Sequence, residues 1–257
     1  MAEYIKVKMS GSEIAFVTLN RPDKRNALSI DMLTELCDCV ENLALDNCVR
    51  VVILRGAGTV FSAGLDLSEA AKPELVERSA RCVARALELM RSTSLVTIAA
   101  VHGGAYAGGA GLMAACDIAI GASDVQIGFP EARRGLLPAL ICSQLSLKLR
   151  EGDLRDLFLV GSPIDADRAL RIGLLQRLSA PERLFDDALV VAHEVLAGGP
   201  QTIVATKQLL AVAYQANEAV SLLAMLKAHQ TARHGSEAVE GLSAFLEKRK
   251  PQWSRGT

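Results

Sequence analysis

Aromatic residues and excess charge are both scarce in this chain. Phe, Trp and Tyr make up only 4% of 257 residues, too few for a stacking platform that would hold sugars or single strands. Lys and Arg number 28 against 29 Asp and Glu, a formal charge of -1, so the basic excess that draws proteins onto phosphodiester backbones is missing. No nucleic-acid partner is expected. The six cysteines, Cys37, Cys39, Cys48, Cys82, Cys116 and Cys142, contain no C-x-x-C pair. His102, His193, His229 and His234 form no cluster at zinc-ligand spacing, so no metal site is expected. The thiols read as reduced ones of a cytosolic core. The opening MAEYIKVKMSGSE has no apolar stretch behind a basic start, so a cytoplasmic location is expected. Neither a P-loop nor a G-x-S-x-G elbow occurs.

Residues 92–116 carry no formal charge, and Gly104-x-x-x-Gly108 mimics a membrane-helix packing motif. His102 and the glycines at 103, 104, 108, 109 and 111 argue against one continuous spanning helix, so no membrane partner is expected either.

What is present suits a folded enzyme-sized domain: 50% of the residues are hydrophobic and 22% charged. Residues 3–8 and 13–19 are β-rich and flank Ser10-Gly11-Ser12, a hairpin signal. Ser29 is placed to cap a helix whose Ile30, Leu33, Cys37, Val40 and Ala44 recur at three-and-four spacing, with Asp31, Glu35, Asp38 and Glu41 on the wet side. Residues 49–54 form a buried-type strand broken only by Arg50. A helix over 73–91, a strand over 95–101, a helix over 109–115 and a strand over 117–120 follow, an alternation that predicts an α/β protein. Beyond Pro138 the pattern reads helical almost to the end. The last helix is predicted over 236–250, with Glu237 and Glu240 in its first turn, Lys248, Arg249 and Lys250 in its last, and an apolar face of Val239, Leu242, Phe245 and Leu246. One domain with a helical tail is the simplest organisation, with a core over 1–195 and a helical region over 196–257.

The glycine tract after the second strand lets a ligand approach backbone N–H groups, and a helix start just beyond adds positive potential. Gly109-x-Gly111-x-x-Ala114 has the outline of a dinucleotide fingerprint. Its glycines, however, sit seven residues past their strand, and Glu131 follows Phe129-Pro130 instead of ending a strand. A second backbone-rich loop, Phe61-Ser62-Ala63-Gly64-Leu65-Asp66, also follows a buried strand. Two converging N–H donors make an oxyanion hole, and each donor is worth about 3 kcal/mol to a developing negative charge. Glu131 lies in Ile127-Gly128-Phe129-Pro130-Glu131, an apolar setting that raises a carboxyl pKa and makes a general acid or base. The plainer alternative is a helix cap or an ion pair with Arg133 or Arg134.

Together these segments resemble a known family. Asn20-Arg21-Pro22-x-x-x-Asn26-Ala27-Leu28, Phe61-Ser62-Ala63-Gly64-x-Asp66-Leu67, the stretch from Val101-His102-Gly103 through Gly108-Gly109 to Cys116-Asp117-Ile118, and Phe129-Pro130-Glu131 followed by Gly135-Leu136-Leu137-Pro138 are similar to the enoyl-CoA hydratase/isomerase, or crotonase, family. Ala244-Phe245-Leu246-Glu247-Lys248-Arg249-Lys250 resembles the family's tail. The resemblance implies an α/β fold, a crotonase-like spiral of ββα units with a C-terminal helical trimerisation region, in a homotrimer or dimer of trimers. It implies an acyl-CoA thioester substrate, no cofactor beyond the coenzyme A moiety, and an enolate held by the N–H groups of Leu65 and Gly108. Lys24, Arg25 and Ala27, with Ala63, Asp66 and Leu67, would line the CoA path. Phe245 and Lys248 would reach CoA bound to a neighbouring subunit.

Two positions depart from the pattern. Where the best-known hydratases hold water between two glutamates, Glu131 matches the second and Gly111 falls at the first. Ala139 stands where some relatives carry a catalytic aspartate. A single carboxylate above an enolate hole favours double-bond isomerisation by a small margin. Hydration, possible on branched acyl chains, is the alternative, then decarboxylation, then a non-catalytic CoA-binding scaffold. Residues 67–88 and 136–145 are expected to line the acyl pocket.

Overall fold

The computed structural model describes residues 3–215 and 222–249. Its amino-terminal hairpin pairs β1 (Ile5–Ser10) antiparallel with β2 (Ile14–Leu19), and Gly11 takes a left-handed φ of 67° in the turn. Ser29 caps α1 (Ile30–Leu45), its hydroxyl accepting from the Met32 amide, while Met32, Leu33, Leu36, Cys37 and Val40 turn inward. Glu35, expected on the wet side, is half-buried and accepts from the amides of Tyr4 and Ile5, which ties α1 to β1.

The chain continues through β3 (Val51–Gly56), α2 (Leu67–Ala70), α3 (Val76–Ser92), β4 (Val96–Val101), β5 (Gly104–Tyr106), α4 (Gly108–Ala115), β6 (Ile118–Ala122) and β7 (Gln126–Gly128). The next elements are α5 (Ala139–Leu145), α6 (Glu151–Arg155), a π-helical turn (Asp156–Val160), α7 (Ala166–Arg171), β8 (Arg177–Ser179), α8 (Leu184–Leu196), α9 (Pro200–Gln215), α10 (Leu222–Arg233) and α11 (Ser236–Leu246). The main sheet has the order β1-β2-β3-β4-β6-β8 and is parallel after the first pair. Its central strands are covered on both faces, which explains their unbroken apolar sequence. Val52, Leu54, Ala99 and Val101 face α1, α3 and α4. Val51, Ile53, Ile98, Ala100 and Ile120 face Leu184, Ala188, Val191 and Ala192 of α8. Arg50, the one charge in its run, donates to the carbonyls of Leu196 and Gly198 and satisfies the end of α8.

A second, narrower ladder lies beside this sheet. It consists of the parallel pair β5-β7, parallel bridges Leu28 to Leu65 and Ser62 to Ala105, and an antiparallel bridge Ile127 to Ile164. Each turn of the chain thus lays one strand in the large sheet and one short segment in the small ladder, then runs into a helix, as the expected spiral of ββα units requires. Residues 92–116 are divided among the end of α3, β4, β5 and α4, and among the described residues no single helix is long and apolar enough to cross a membrane.

Three expectations need correction. β5, β7 and β8 were not legible, because three residues are too few to show an alternation. The segment after Pro138 is therefore not wholly helical. α11 ends at Leu246, with Lys250 outside the described residues, and its inward face is Ala238, Leu242 and Ala244, whereas Val239, Phe245 and Leu246 are exposed. Small residues win that face because the helix lies directly on backbone: a Cβ on Gly241 would sit 1.9 Å from the Arg134 carbonyl oxygen.

The helices after α8 pack within the same chain. Lys207 of α9 donates to the Leu95 carbonyl and to Asp117 at 2.8 and 2.7 Å, α10 packs on α5 and α3, and α11 packs on the 3-10 turn Ala132–Arg134.

Asn26, fully buried, locks the early turn to the loop after β3. Its amide group donates to the carbonyls of Ala57, Val60 and Phe61 at 2.8, 2.9 and 3.2 Å, and its oxygen accepts from the Arg21 amide at 2.9 Å. Asn26→Ala would strand these groups and is expected to lower the unfolding free energy by roughly 3 kcal/mol. Urea denaturation followed by circular dichroism measures it; a loss under about 0.5 kcal/mol would contradict the assigned role.

Candidate active site

Two loops meet where the small ladder passes the start of α4. Gly64 has φ 89°, and a Cβ there would lie 2.7 Å from the Tyr106 carbonyl oxygen and 3.3 Å from the Gly108 nitrogen, so only glycine lets the loops come this close. A Cβ on Gly108 would lie 3.8 Å from the Leu65 nitrogen. The amides of Leu65 and Gly108 therefore border one gap. Their neighbours are committed: Gly64 donates to Ser62 Oγ, Asp66 to the Leu28 carbonyl, and Ala107 to the Gly128 carbonyl. Among the described residues no acceptor takes the amide of Leu65, and Gly108, as first residue of α4, has no helical carbonyl to receive its own. Ala107 is held at φ 49° and ψ -125°, a conformation L residues seldom adopt, at the point where the chain turns into α4. The helix begins at Gly108, one residue earlier than expected.

Glu131 opens the 3-10 turn Ala132–Arg134 and is 7% exposed. Both carboxyl oxygens are buried with no hydrogen-bond partner. Burial pushes the carboxyl up to about 7, opposed by its own backbone amide and by the Arg134 charge. The plainer readings of Glu131 fail. Its side chain makes no cap hydrogen bond, Arg133 turns away to the Val160 carbonyl and Ser162, and Arg134 lies over the Phe245 ring, 4.8 Å from its centroid.

Glu131, Leu65 and Gly108 line the same pocket, together with Leu67, Val83, Ala107, Arg134, Leu136, Leu137, Pro138, Leu140, Ile141 and His229. The sequence ranges 67–88 and 136–145 do supply the apolar wall. The space open to the centre of a water-sized sphere is about 40 Å³, room for a few waters at most. Arg134 and His229 are the residues that sequence reasoning missed. Arg134 had been considered only as a partner for Glu131, and no local motif marks His229, which arrives on α10. Burial and the Arg233 cation hold the His229 imidazole down to about 4, so it is neutral at pH 7.

Of the expected CoA-path residues, Arg25, Ala27, Ala63 and Asp66 are tied together by hydrogen bonds of the backbone and Arg21. Lys24 ends the 3-10 turn Pro22–Lys24 and Arg25 follows in a left-handed conformation, both exposed, and Arg25 is close enough to Arg134 for the two cations to repel. The Ala63 amide donates to the Arg25 carbonyl, and Ala27 accepts from Arg21. Asp66 is already engaged: it accepts from Ser68 at the start of α2 and pairs with Arg21 at 2.5 Å. Although burial pushes the other way, these Ser68 and Arg21 contacts hold its carboxyl below the usual range. Its part is to tie the two loops together. Leu67 packs on Leu136 and on Ala238 and Leu242 of α11. Phe245 stands on Arg134 of its own chain, and Lys248 lies exposed beyond the helix end.

A model of the enoyl-CoA hydratase/isomerase family matches residues 10–256. The chain belongs to this family. It is 36% identical over 259 residues to a Thermus thermophilus protein carrying the enoyl-CoA hydratase name, covering 96% of this chain and 100% of that one. It is 33% identical over 245 residues to the short-chain-enoyl-CoA hydratase of Clostridium acetobutylicum, covering 93% of each. Among solved structures, an enoyl-CoA hydratase from Mycobacterium avium superposes with a TM-score of 0.87 at 33% identity, over 99% of this chain and 100% of that one. Methylmalonyl-CoA decarboxylase superposes with a TM-score of 0.85 at 26% identity, over 98% of each chain.

Within this crotonase-fold enzyme the absent carboxylate leaves no void. A Cβ on Gly111 would lie 3.0 Å from Ile141 Cγ1, so an isoleucine side chain closes that wall. Among the described residues Glu131 is the only acidic side chain lining the pocket.

The raised carboxyl pKa carries a stability consequence. Because the folded value, about 7, lies above the ordinary 4.5, the native state binds the proton more tightly than the unfolded chain does. That contribution is full below the ordinary value and is lost as pH rises through 7. Glu131→Gln removes the loss, so the variant's stability advantage over the parent should widen between pH 5 and pH 8, by an amount on the order of 3 kcal/mol. Thermal unfolding at the two pH values measures it; an advantage independent of pH would contradict the burial of an ionisable Glu131.

Proposed function

We propose that the chain stabilises a thioester enolate between the Leu65 and Gly108 amides while Glu131, as single acid and base, moves one proton along the acyl chain. One observation carries this reading: a buried carboxyl without a partner shares a narrow pocket with two uncommitted amides. In the isomerisation of a 3-enoyl thioester, the Glu131 carboxylate takes a proton from C2 and the electron pair moves onto the thioester oxygen, giving a dienolate. The two amides oppose the negative charge there. The carboxylic acid then returns the proton to C4, the C2–C3 double bond forms, and Glu131 is again ionised. A pKa near neutrality lets one group serve both halves.

Hydration of a 2-enoyl thioester is the second reading, favoured by the Clostridium relative, whose name is that activity. In it Glu131 takes a proton from a water that adds at C3, and the resulting carboxylic acid returns that proton to C2 of the enolate. Decarboxylation, the activity named by a structural neighbour, would use the amides without requiring a base. We further propose a homotrimer or a dimer of trimers in the cytoplasm, a reading supported by the exposed Leu209, Leu210, Val239 and Leu246 on the carboxyl-terminal helices. A neutral acyl-CoA pocket needs no other cofactor for any of these steps.

Incubation with 2-enoyl, 3-enoyl and 2-carboxyacyl thioesters in deuterated water tests the assignment. Deuterium entering the acyl chain without oxygen addition supports isomerisation, a 3-hydroxyacyl product supports hydration, and carbon dioxide release supports decarboxylation. Glu131→Gln is expected to bind acyl-CoA normally and to lose at least about 100-fold in kcat for the first two reactions. Gly108→Ala is expected to fold, because its new Cβ meets only ordinary contacts of 3.5 to 3.9 Å, yet to lower kcat by about 10- to 100-fold by crowding the gap between the amides. Intact CoA binding with no turnover of any thioester would establish the scaffold instead.

A further inference from the structure

The pocket around Glu131 has one more side chain able to take part in proton traffic. α10 packs on α5 and α3 and carries His229, 9% exposed, into the lining of the pocket. The Leu137 carbonyl lies beside the ring. A neutral imidazole carries one N–H donor and keeps a lone pair on the other nitrogen. The charged groups around it are Arg233 on the same helix, which has a guanidinium nitrogen buried without a partner, and Arg134 and Glu131 across the pocket. The Arg233 cation opposes an imidazolium, and neither arginine can accept a hydrogen bond.

Protonated Glu131 needs an acceptor for its O–H, and the rest of the lining consists of hydrocarbon side chains and the Arg134 cation. The open space, about 40 Å³, has room for a bridging water. We infer that His229 is a positioning residue for Glu131: its unprotonated ring nitrogen accepts, through one water, the hydrogen bond of the protonated carboxyl, and aims the proton that Glu131 returns to the acyl chain. The inference rests on the proposed role of Glu131 and applies to isomerisation and hydration alike. It also assigns a function to α10 that no motif in the helix announces.

The test compares His229→Leu, which keeps bulk and removes the acceptor, with His229→Gln, whose amide oxygen can still accept. His229→Met serves as the flexible filler should the leucine variant not fold. In the enzyme's own turnover assay the apolar variant is expected to lose about 10- to 100-fold in kcat with KM for the thioester within about twofold, and the midpoint of its kcat–pH profile should move. His229→Gln should recover kcat to within about fivefold of the parent. Thermal unfolding of each variant separates this from a packing effect. Unchanged kcat in the apolar variant, or equal losses in the leucine and glutamine variants with a raised KM, would overturn the inference. Glu131→Gln is assayed alongside: if it turns over like the parent, the failure lies in the role of Glu131, and if it is inactive while His229→Leu is normal, the failure lies in His229.

Discussion

Burying a carboxyl group with no hydrogen-bond partner costs several kcal/mol when the group ionises, and this fold keeps Glu131 in that condition by surrounding it with structure that has little freedom to relax. The 3-10 turn that carries it is pressed from one side by α11, whose backbone lies on Arg134 with only Gly241 between. Apolar side chains from α3 and α5 close the other side. The two neighbouring arginines are drawn elsewhere, Arg133 to Val160 and Ser162, Arg134 to the face of Phe245. A carboxyl so placed can neither pair nor hydrate fully, and its pKa rises to near neutrality.

The same logic, inverted, governs the amides opposite. Almost every polar group around the two loops is used: Asn26 bonds three carbonyls, Ser62 bonds the Asn26 carbonyl and the Gly64 amide, and Asp66 is shared by Arg21 and Ser68. These bonds hold the loops rigidly enough that two amides can be left uncommitted without the backbone collapsing to satisfy them. Preorganised donors of this kind need no reorganisation when charge develops on an oxygen. Much of what the sequence motifs encode is this scaffolding. Asn26, Ser62 and Asp66 hold the loops together around the gap, while Leu65 and Gly108 contribute only backbone to it.

Elements longer than a turn could be read from pattern: the hairpin, the cap at Ser29 with the apolar stripe behind it, and the buried strands over 51–56 and 96–101. Glu131 and both loops could be found as well, because an acid in an apolar run and glycines beyond a strand are local signals. Other features depend on partners far along the chain. The three-residue strands at 104–106, 126–128 and 177–179 owe their existence to neighbours in a ladder, not to their own composition. The choice of Ala238 over Val239 for the inner face of α11 follows from how close the helix comes to a turn it meets only in the folded protein.

Sequence alone determined the α/β class, the family, the candidate acid and the glycine at the position of its expected companion. Tertiary structure decided that Ile141 fills the companion's place, that Arg134 stacks on an aromatic ring while lining the Glu131 pocket, and that His229 enters the pocket from a late helix. The division has a physical reason. Secondary structure and main-chain donors depend on residues a few positions apart, whereas desolvation, charge pairing and pocket shape depend on which surfaces are brought together, and those surfaces come from opposite ends of the chain.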